Sequence, residues 1–295
     1  MSIKASIGEK VFNVFNIFIM ILIIIVTLYP FLHVLFSSLS DGVQLMTHEG
    51  ILLHPLGFST AAYKLVFKNP MLLRGYINTL VLVIGGVTVN IVLTAIAAYF
   101  VSRKNVMWSK VLMILIIITM YFNGGLIPNY LNIKQLGLYD TLWALIIPGA
   151  ISTFNLIIMR TAFLTVPDSL EESAKIDGAN HFTILFKILI PLTMPTVAVL
   201  ILYYAVGHWN GWFNAMIYLK SRTNYPLQLI LREILINNDS TSMVAGVDGD
   251  TGDQLAIAET IRYATIIVAT LPILFVYPFL QKYFVKGIMV GAVKG

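Results

Sequence analysis

Stretches without a single Asp, Glu, Lys or Arg alternate along this chain with charge-bearing ones. Six uncharged windows stand out: Val11–Ser40, Gly75–Ser102, Val111–Ile133, Thr141–Met159, Ile188–Leu219 and Tyr263–Gln281, of 30, 28, 23, 19, 32 and 19 residues. A helix rising 1.5 Å per residue needs about 20 mostly apolar residues to cross the hydrocarbon core of a bilayer. Six windows therefore predict six membrane-spanning helices, over approximately 11–36, 76–101, 108–130, 141–163, 188–216 and 263–283. Runs such as Ile17–Val26 lack the in-out alternation that a transmembrane β-barrel strand requires. The first window is also longer than the roughly 7–15 apolar residues of a cleaved signal peptide. The expected fold is all-α, one polytopic domain over residues 1–295.

Composition strengthens this reading. Charged residues make up 11% of the chain and hydrophobic ones 58%, against about 25% charged in a soluble domain. A water-soluble globule would lack the polar surface to cover its core, and a disordered chain would carry far less apolar mass. The absence of cysteine removes disulfides, thiolate metal sites and thiol nucleophiles. Six spans place both termini on one side with the second and fourth loops. That side carries eleven basic and five acidic residues in short loops, while the other carries eight basic and nine acidic in longer ones. Basic residues favour the cytoplasmic face, so both termini are expected in the cytoplasm. The net charge of +5 is an orientation signal and implies no nucleic acid.

Two outer segments are sizeable. About Ser37–Arg74 is expected to form a short packed lid with interfacial helices. About Lys220–Arg262 begins with an amphipathic helix, because Leu227, Ile230, Leu231 and Ile234 recur at helical spacing. A polar, Gly-rich stretch, Asn237–Gly252, follows. Trp209 and Trp212 fall near the outer end of the fifth window, which suits either interfacial anchoring or stacking on a sugar. Asp248, Asp250 and Glu259 take positions 1, 3 and 12 of a calcium loop, but Gly252 and Asp253 reverse the required order at positions 5 and 6. A flexible acidic loop is expected there.

The fourth loop, residues 164–190, is too polar to span and too regular to be a plain connector. Asp168, with Glu171 three residues on, has capping-box spacing behind Pro167. It predicts a two-turn helix ended by Gly178 in the left-handed region. Asn180 can cap a second helix that reaches Pro191 and leads into the fifth span. A short helix across the membrane helices, with small Ser173 and Ala174 on one side, is shaped for a groove on a cytoplasmic partner; its plainer alternative is an interfacial amphipathic helix.

The string E-S-A-x3-G-x9-I-x-I-P, Glu172 through Pro191, resembles the EAA loop of binding-protein-dependent ABC importer permeases. Their pattern is E-A-A-x3-G-x9-I-x-L-P, so Glu172, Ala174, Gly178, Ile188 and Pro191 match, with Ser173 and Ile190 as small departures. The flanking VPDSLEESAKIDGA and the end FVKGIMVGAVKG, Phe284–Gly295, are similar to the carbohydrate-uptake branch of maltose-permease G type. YFNGGLIPNY and YPLQLILREIL are similar to permeases for complex oligosaccharides. The resemblance implies a type I importer fold in the bacterial cytoplasmic membrane. It also implies two ATP-binding cassette subunits, a second, non-identical permease and an extracytoplasmic solute-binding protein. Glu171, Glu172, Ala174, Asp177 and Gly178 would then belong to the coupling helix that docks into the ATPase. No cofactor is expected on this chain; ATP and magnesium would sit on the partner subunits.

The chain lacks a G-x-x-x-x-G-K-[ST] phosphate loop, so it is not expected to be an enzyme or to hydrolyse ATP itself. An ion-coupled secondary transporter, the main alternative, usually carries carboxylates or broken helices at mid-membrane, and no window holds a carboxylate. An intramembrane hydrolase would need a paired acid, nucleophile or metal cluster, and no residues are spaced that way. The substrate, an oligosaccharide, would meet polar and aromatic groups of the later spans: Asn155, Tyr203, Tyr204, Trp209, Asn210 and Asn214. Asn155 and Tyr204 serve equally as hydrogen-bonding links between helices. Lys134, Lys220, Arg222 and Arg232 on the outer side lean toward an acidic sugar such as a uronate oligomer from alginate or pectin.

Overall fold

The computed structural model describes residues 6–103, 106–236 and 256–275. The acidic loop 239–253, the tail 284–295 and the end of the last expected span lie outside the described residues. Among the described residues the chain is built of helices joined by turns.

Among the described residues, three helices are long and apolar enough to cross a membrane: Ile7–Ser38, Pro70–Ser102 and Ala256–Phe275. The first opens on a capping box, in which the Ser6 hydroxyl accepts from the Glu9 N–H and the Glu9 carboxylate accepts from the Ser6 N–H. The second starts at Pro70, earlier than the charge pattern places it, and passes through a π turn at Leu82–Gly86. The last is already helical at Ala256, the first residue described there and ahead of its window, so Glu259 and Arg262 ride on helix.

The other windows are interrupted. Ser109–Tyr121 and Leu126–Gln135 meet at 114°, and His181–Leu192 and Met194–Trp209 at 90°. Each pair counted as one span brings the number to five. The first bend is an Asn-Gly-Gly turn: the Asn123 side chain accepts from the Gly125 N–H at 2.9 Å, and Gly125 stands at φ +90°, a region that glycine enters without a Cβ clash. The second lies at Thr193, between Pro191 and Pro195, whose rings remove backbone donors. The Thr193 hydroxyl donates to the Leu189 carbonyl at 2.7 Å. The fourth window holds a four-residue helix, Trp143–Ile146, and a twelve-residue one, Thr153–Leu164, separated by Ile147–Ser152. Pro148-Gly149 breaks the continuous helix expected over 141–163, since proline lacks an N–H and disfavours helix in the residue before it.

The chain divides into two compact units. In the first, residues 1–69 with 233–271, the short helices Gly42–Thr47 and Ala61–Lys68 form within the segment expected as a packed lid. The Ser38 hydroxyl meets that of Tyr63 at 2.7 Å, and the Leu52 N–H donates to the Tyr29 hydroxyl at 3.1 Å. Gly42 lies so close to the last helix that a Cβ would stand 2.4 Å from the Ala256 carbonyl oxygen.

The second unit contains residues 70–232. Its core joins four helices through Ala95, Ala98, Tyr99, Met159, Phe163, Ile184, Leu185, Leu189, Val197 and Leu200. Ala95 and Ala98 are fully buried, and small residues at such a spacing let neighbouring backbones approach closely. The amphipathic helix expected at Tyr225–Ile236 forms over Leu227–Ile236, with Leu227, Leu229, Ile230 and Ile234 buried.

Candidate functional site: a clamped fourth-loop helix and a pinned helix break

The helix of the fourth loop runs from Asp168 to Ile176. Pro167 takes the cap position and Asp168 is the first helical residue, so the expected capping box does not form there. Glu171 turns into the protein instead. Beyond the helix, the Ala179 N–H donates to the Ala174 carbonyl at 2.9 Å and the Gly178 N–H to the Lys175 carbonyl at 3.0 Å. This is a Schellman ending, and Gly178 at φ +81° supplies the left-handed residue it needs. The Asn180 side chain then accepts from the Thr183 N–H at 2.8 Å, capping the helix that leads to the fifth window as expected.

The two edges of the Asp168–Ile176 helix differ. Glu171 is 8% exposed. Its carboxylate pairs with the Arg103 guanidinium and, at 3.0 Å, with the Lys175 ammonium. Arg103 is held in turn by the Phe163 carbonyl, the Ser102 hydroxyl and the face of Tyr99. The Tyr99 hydroxyl meets Nδ1 of His181 at 2.7 Å. Burial pushes the Glu171 carboxyl up, but the hydrogen bond from Lys175 and the charge of Arg103 outweigh it and hold the group below its ordinary value. Ala174 is half buried against the core. The opposite edge is bare: Glu172, Ser173 and Asp177 are exposed, and Ile176 is 87% exposed. Of the five expected coupling residues, Glu172, Asp177 and Gly178 thus stand at the surface while Glu171 and Ala174 face inward. An open cleft of about 730 Å³ lies beside the clamp, lined by Tyr99, Phe100, Arg103, Glu171 and His181 among others.

At the break in the fourth window, Asn90 does what the local backbone cannot. Its amide donates to the carbonyls of Gly149 (3.1 Å) and Ala150 (2.9 Å), and its oxygen accepts from Nε2 of His208 at 2.7 Å. The Tyr204 hydroxyl meets that of Thr94 at 2.8 Å and accepts from the Ser152 N–H at 3.0 Å. Backbone groups freed in an apolar interior must find partners, and these two side chains supply them. Gly86 gives His208 its room, since a Cβ there would stand 2.6 Å from the imidazole Nε2.

The six residues expected along a substrate path are not brought together as one lining. Tyr204 is a buried helix link, and Asn155 is 5% exposed. Tyr203 is exposed against Phe154, and Asn210 and Asn214 are exposed near the end of the Met194–Trp209 helix. Trp209 is buried edge-on to Tyr76, its indole N–H without a partner among the described residues. Asn90 and Thr94 were not singled out from the sequence; the available signal was an amide and a hydroxyl four residues apart inside an otherwise apolar window.

A third cluster orders the 218–224 turn. Asp140, at φ +61°, accepts from the N–H groups of Lys220 and Ser221 and from the Ser221 hydroxyl at 2.5 Å. The hydroxyl and N–H of Ser221 together hold its carboxyl below the usual range.

Comparison with known proteins fits this arrangement. Residues 90–290 match the family model described as "Binding-protein-dependent transport system inner membrane component". The chain is 40% identical to the polygalacturonan/rhamnogalacturonan transport system permease protein YtcP of Bacillus subtilis, over 92% of this chain and 93% of that one. It is 41% identical to Protein LplC of the same organism, over 97% and 96%. Its fold superposes on a chain from the crystal structure of a bacterial ABC transporter involved in the import of the acidic polysaccharide alginate. The TM-score is 0.87 at 30% identity, covering 96% of this chain and all of the other. With a match spanning more than half its length and relatives of such likeness, the chain belongs to the binding-protein-dependent transport permeases, as a multi-pass inner-membrane subunit of an ABC importer for poly- or oligosaccharides.

Proposed function

We propose that this permease pairs with a second, non-identical permease and two ATP-binding cassette subunits. Together they import an acidic, uronate-type oligosaccharide delivered by a solute-binding protein. Both termini and the Asp168–Ile176 helix face the cytoplasm, and ATP and magnesium act on the partner subunits. The observation that carries the coupling role is the asymmetry of the helix. Its bare edge, with Glu172, Ile176 and Asp177, offers a charge and an apolar tip to a cleft on the ATPase. Its inner edge is fastened through Glu171 to Arg103 at the end of the Pro70–Ser102 helix. A helix gripped on one side and clamped on the other transmits displacement to the spans. The acidic substrate is supported by likeness to a polygalacturonan/rhamnogalacturonan permease and to the alginate transporter chain, since galacturonan and alginate are uronate polymers.

Glu172→Lys reverses the charge offered to the ATPase, and Gly178→Val forces a β-branched residue into the left-handed region, at a cost of about 1–3 kcal/mol. Both variants are expected to insert and assemble, yet to lose most binding-protein-stimulated transport in proteoliposomes. Full transport in both would remove the coupling assignment. In the same assay, a binding protein loaded with oligogalacturonate should stimulate ATP hydrolysis, whereas a neutral oligosaccharide of equal length should not; equal stimulation by both would refute the acidic specificity.

A further inference from the structure

Arg232 stands on the Leu227–Ile236 helix, away from the residues that bury it. Leu227, Ile230 and Ile234 pack the inner face, so the helix does not need an ordered guanidinium at 232 to hold its place. Yet the side chain lies against an aromatic ring. Its guanidinium carbon lies 4.6 Å from the ring centre of Trp212, and Nη1 reaches the Met216 sulfur at 3.3 Å. Trp212 is itself propped edge-on by Phe213, the ring centres 5.6 Å apart at 88°. Trp212 and Phe213 remain 37% and 46% exposed. No carboxylate among the described residues pairs with Arg232. A thioether is a weak acceptor, so most of the five guanidinium N–H donors stay available.

We propose that Arg232, Trp212 and Phe213 form a uronate-recognition subsite on the extracytoplasmic end of the permease. The guanidinium fork takes a sugar carboxylate in bidentate fashion, and the exposed aromatic rims pack against the pyranose ring. The arrangement suits an anionic sugar for two physical reasons. A guanidinium already laid on an indole face loses little rotamer freedom on binding, so more of its charge-assisted hydrogen bonding appears as affinity. A planar fork also matches a carboxylate, which a lone ammonium does not. The subsite rests on the acidic-substrate reading above and assigns its specificity to residues of this chain.

The test uses the whole complex in phosphatidylcholine vesicles, with binding protein loaded with trigalacturonate or with its methyl ester. Wild type should import the free acid faster than the ester at saturating loaded binding protein. Arg232→Gln should slow uptake of the free acid about tenfold, as expected for a lost charge-assisted pair, and collapse the preference over the ester. Arg232→Lys should recover only part of it, and Trp212→Ala should slow both sugars. An Arg232→Gln variant that keeps the wild-type rate and preference overturns the subsite, as does equal slowing of acid and ester. An effect that appears only once phosphatidylglycerol is added would assign Arg232 to a lipid phosphate and likewise overturn it. The acidic-substrate reading fails separately, if the wild-type complex imports neutral oligosaccharides and no uronate at all.

Discussion

A Glu171→Lys variant should import no sugar while still inserting into the membrane. The wild-type carboxylate lies between Arg103 and Lys175 and is nearly buried. Lysine there would set three cations together and leave the Arg103 guanidinium with the Phe163 carbonyl, the Ser102 hydroxyl and the face of Tyr99 but no carboxylate. Removing one partner of a buried pair costs about 3–5 kcal/mol, because the other charge remains desolvated and unpaired. The helix would come loose from the Pro70–Ser102 span while its bare edge, with Glu172 and Ile176, stayed intact. The expected signature is therefore specific: the ATPase still co-purifies, but the loaded binding protein no longer stimulates hydrolysis. Exchanging the charges, Arg103→Glu with Glu171→Arg, should restore part of the stimulation. If Glu171→Lys transported normally, the clamp would have no role in coupling. The pH dependence has a definite sign. Because the folded carboxyl titrates below its ordinary value, the clamp's contribution is complete above the ordinary glutamate value and fades as pH falls through the depressed one. Glu171→Gln should reproduce that acidic behaviour at neutral pH.

Asn90→Leu is expected to lower the thermal stability of the purified permease sharply. Leucine shares the branched heavy-atom skeleton of asparagine, so the site, fully buried, would stay filled. What disappears is the set of hydrogen bonds to Gly149, Ala150 and His208. Each buried polar group left unsatisfied costs about 1–3 kcal/mol, so a total loss of about 3–5 kcal/mol is expected. The Gly149 and Ala150 carbonyls lie between two helices and receive no backbone N–H among the described residues. Transport should fall with stability, since the break would no longer hold a single geometry. A melting curve of Asn90→Leu in detergent that overlays wild type would show that the carbonyls find other partners. Asn90→Gln offers a graded comparison, keeping the chemistry but not the reach.

Both predictions concern contacts that local pattern does not show, and the reason is physical. The fourth loop was legible to the residue: Gly178 ends its helix, and Asn180 caps the next, because caps and left-handed turns depend on a few neighbouring atoms. Capping by Asp168 was not, because Glu171, its intended partner, has a better one in Arg103, 68 residues away. Charge-free windows located apolar mass well but carried no information on helix continuity. Asn123-Gly124-Gly125, Pro148-Gly149 and Pro191 were the relevant punctuation, and each now marks a bend or break. Among the substrate-path residues, Tyr204 proved to be a link between helices, the plainer of its two readings.

Composition, charge placement and one twenty-residue string along the chain sufficed for a helical membrane permease with a short helix ended by Gly178 in its fourth loop. All three are local or additive properties, and solvent transfer and helix capping act on them directly. Which edge of that helix is free, where the spans break, and which side chains cover the exposed backbone were decided only in three dimensions. Those outcomes depend on partners 60 to 120 residues apart: Arg103 with Glu171, Asn90 with Gly149 and His208. Their energies come from removing charges and carbonyls from water together, and a residue's own neighbours do not reveal which distant group will share that burial.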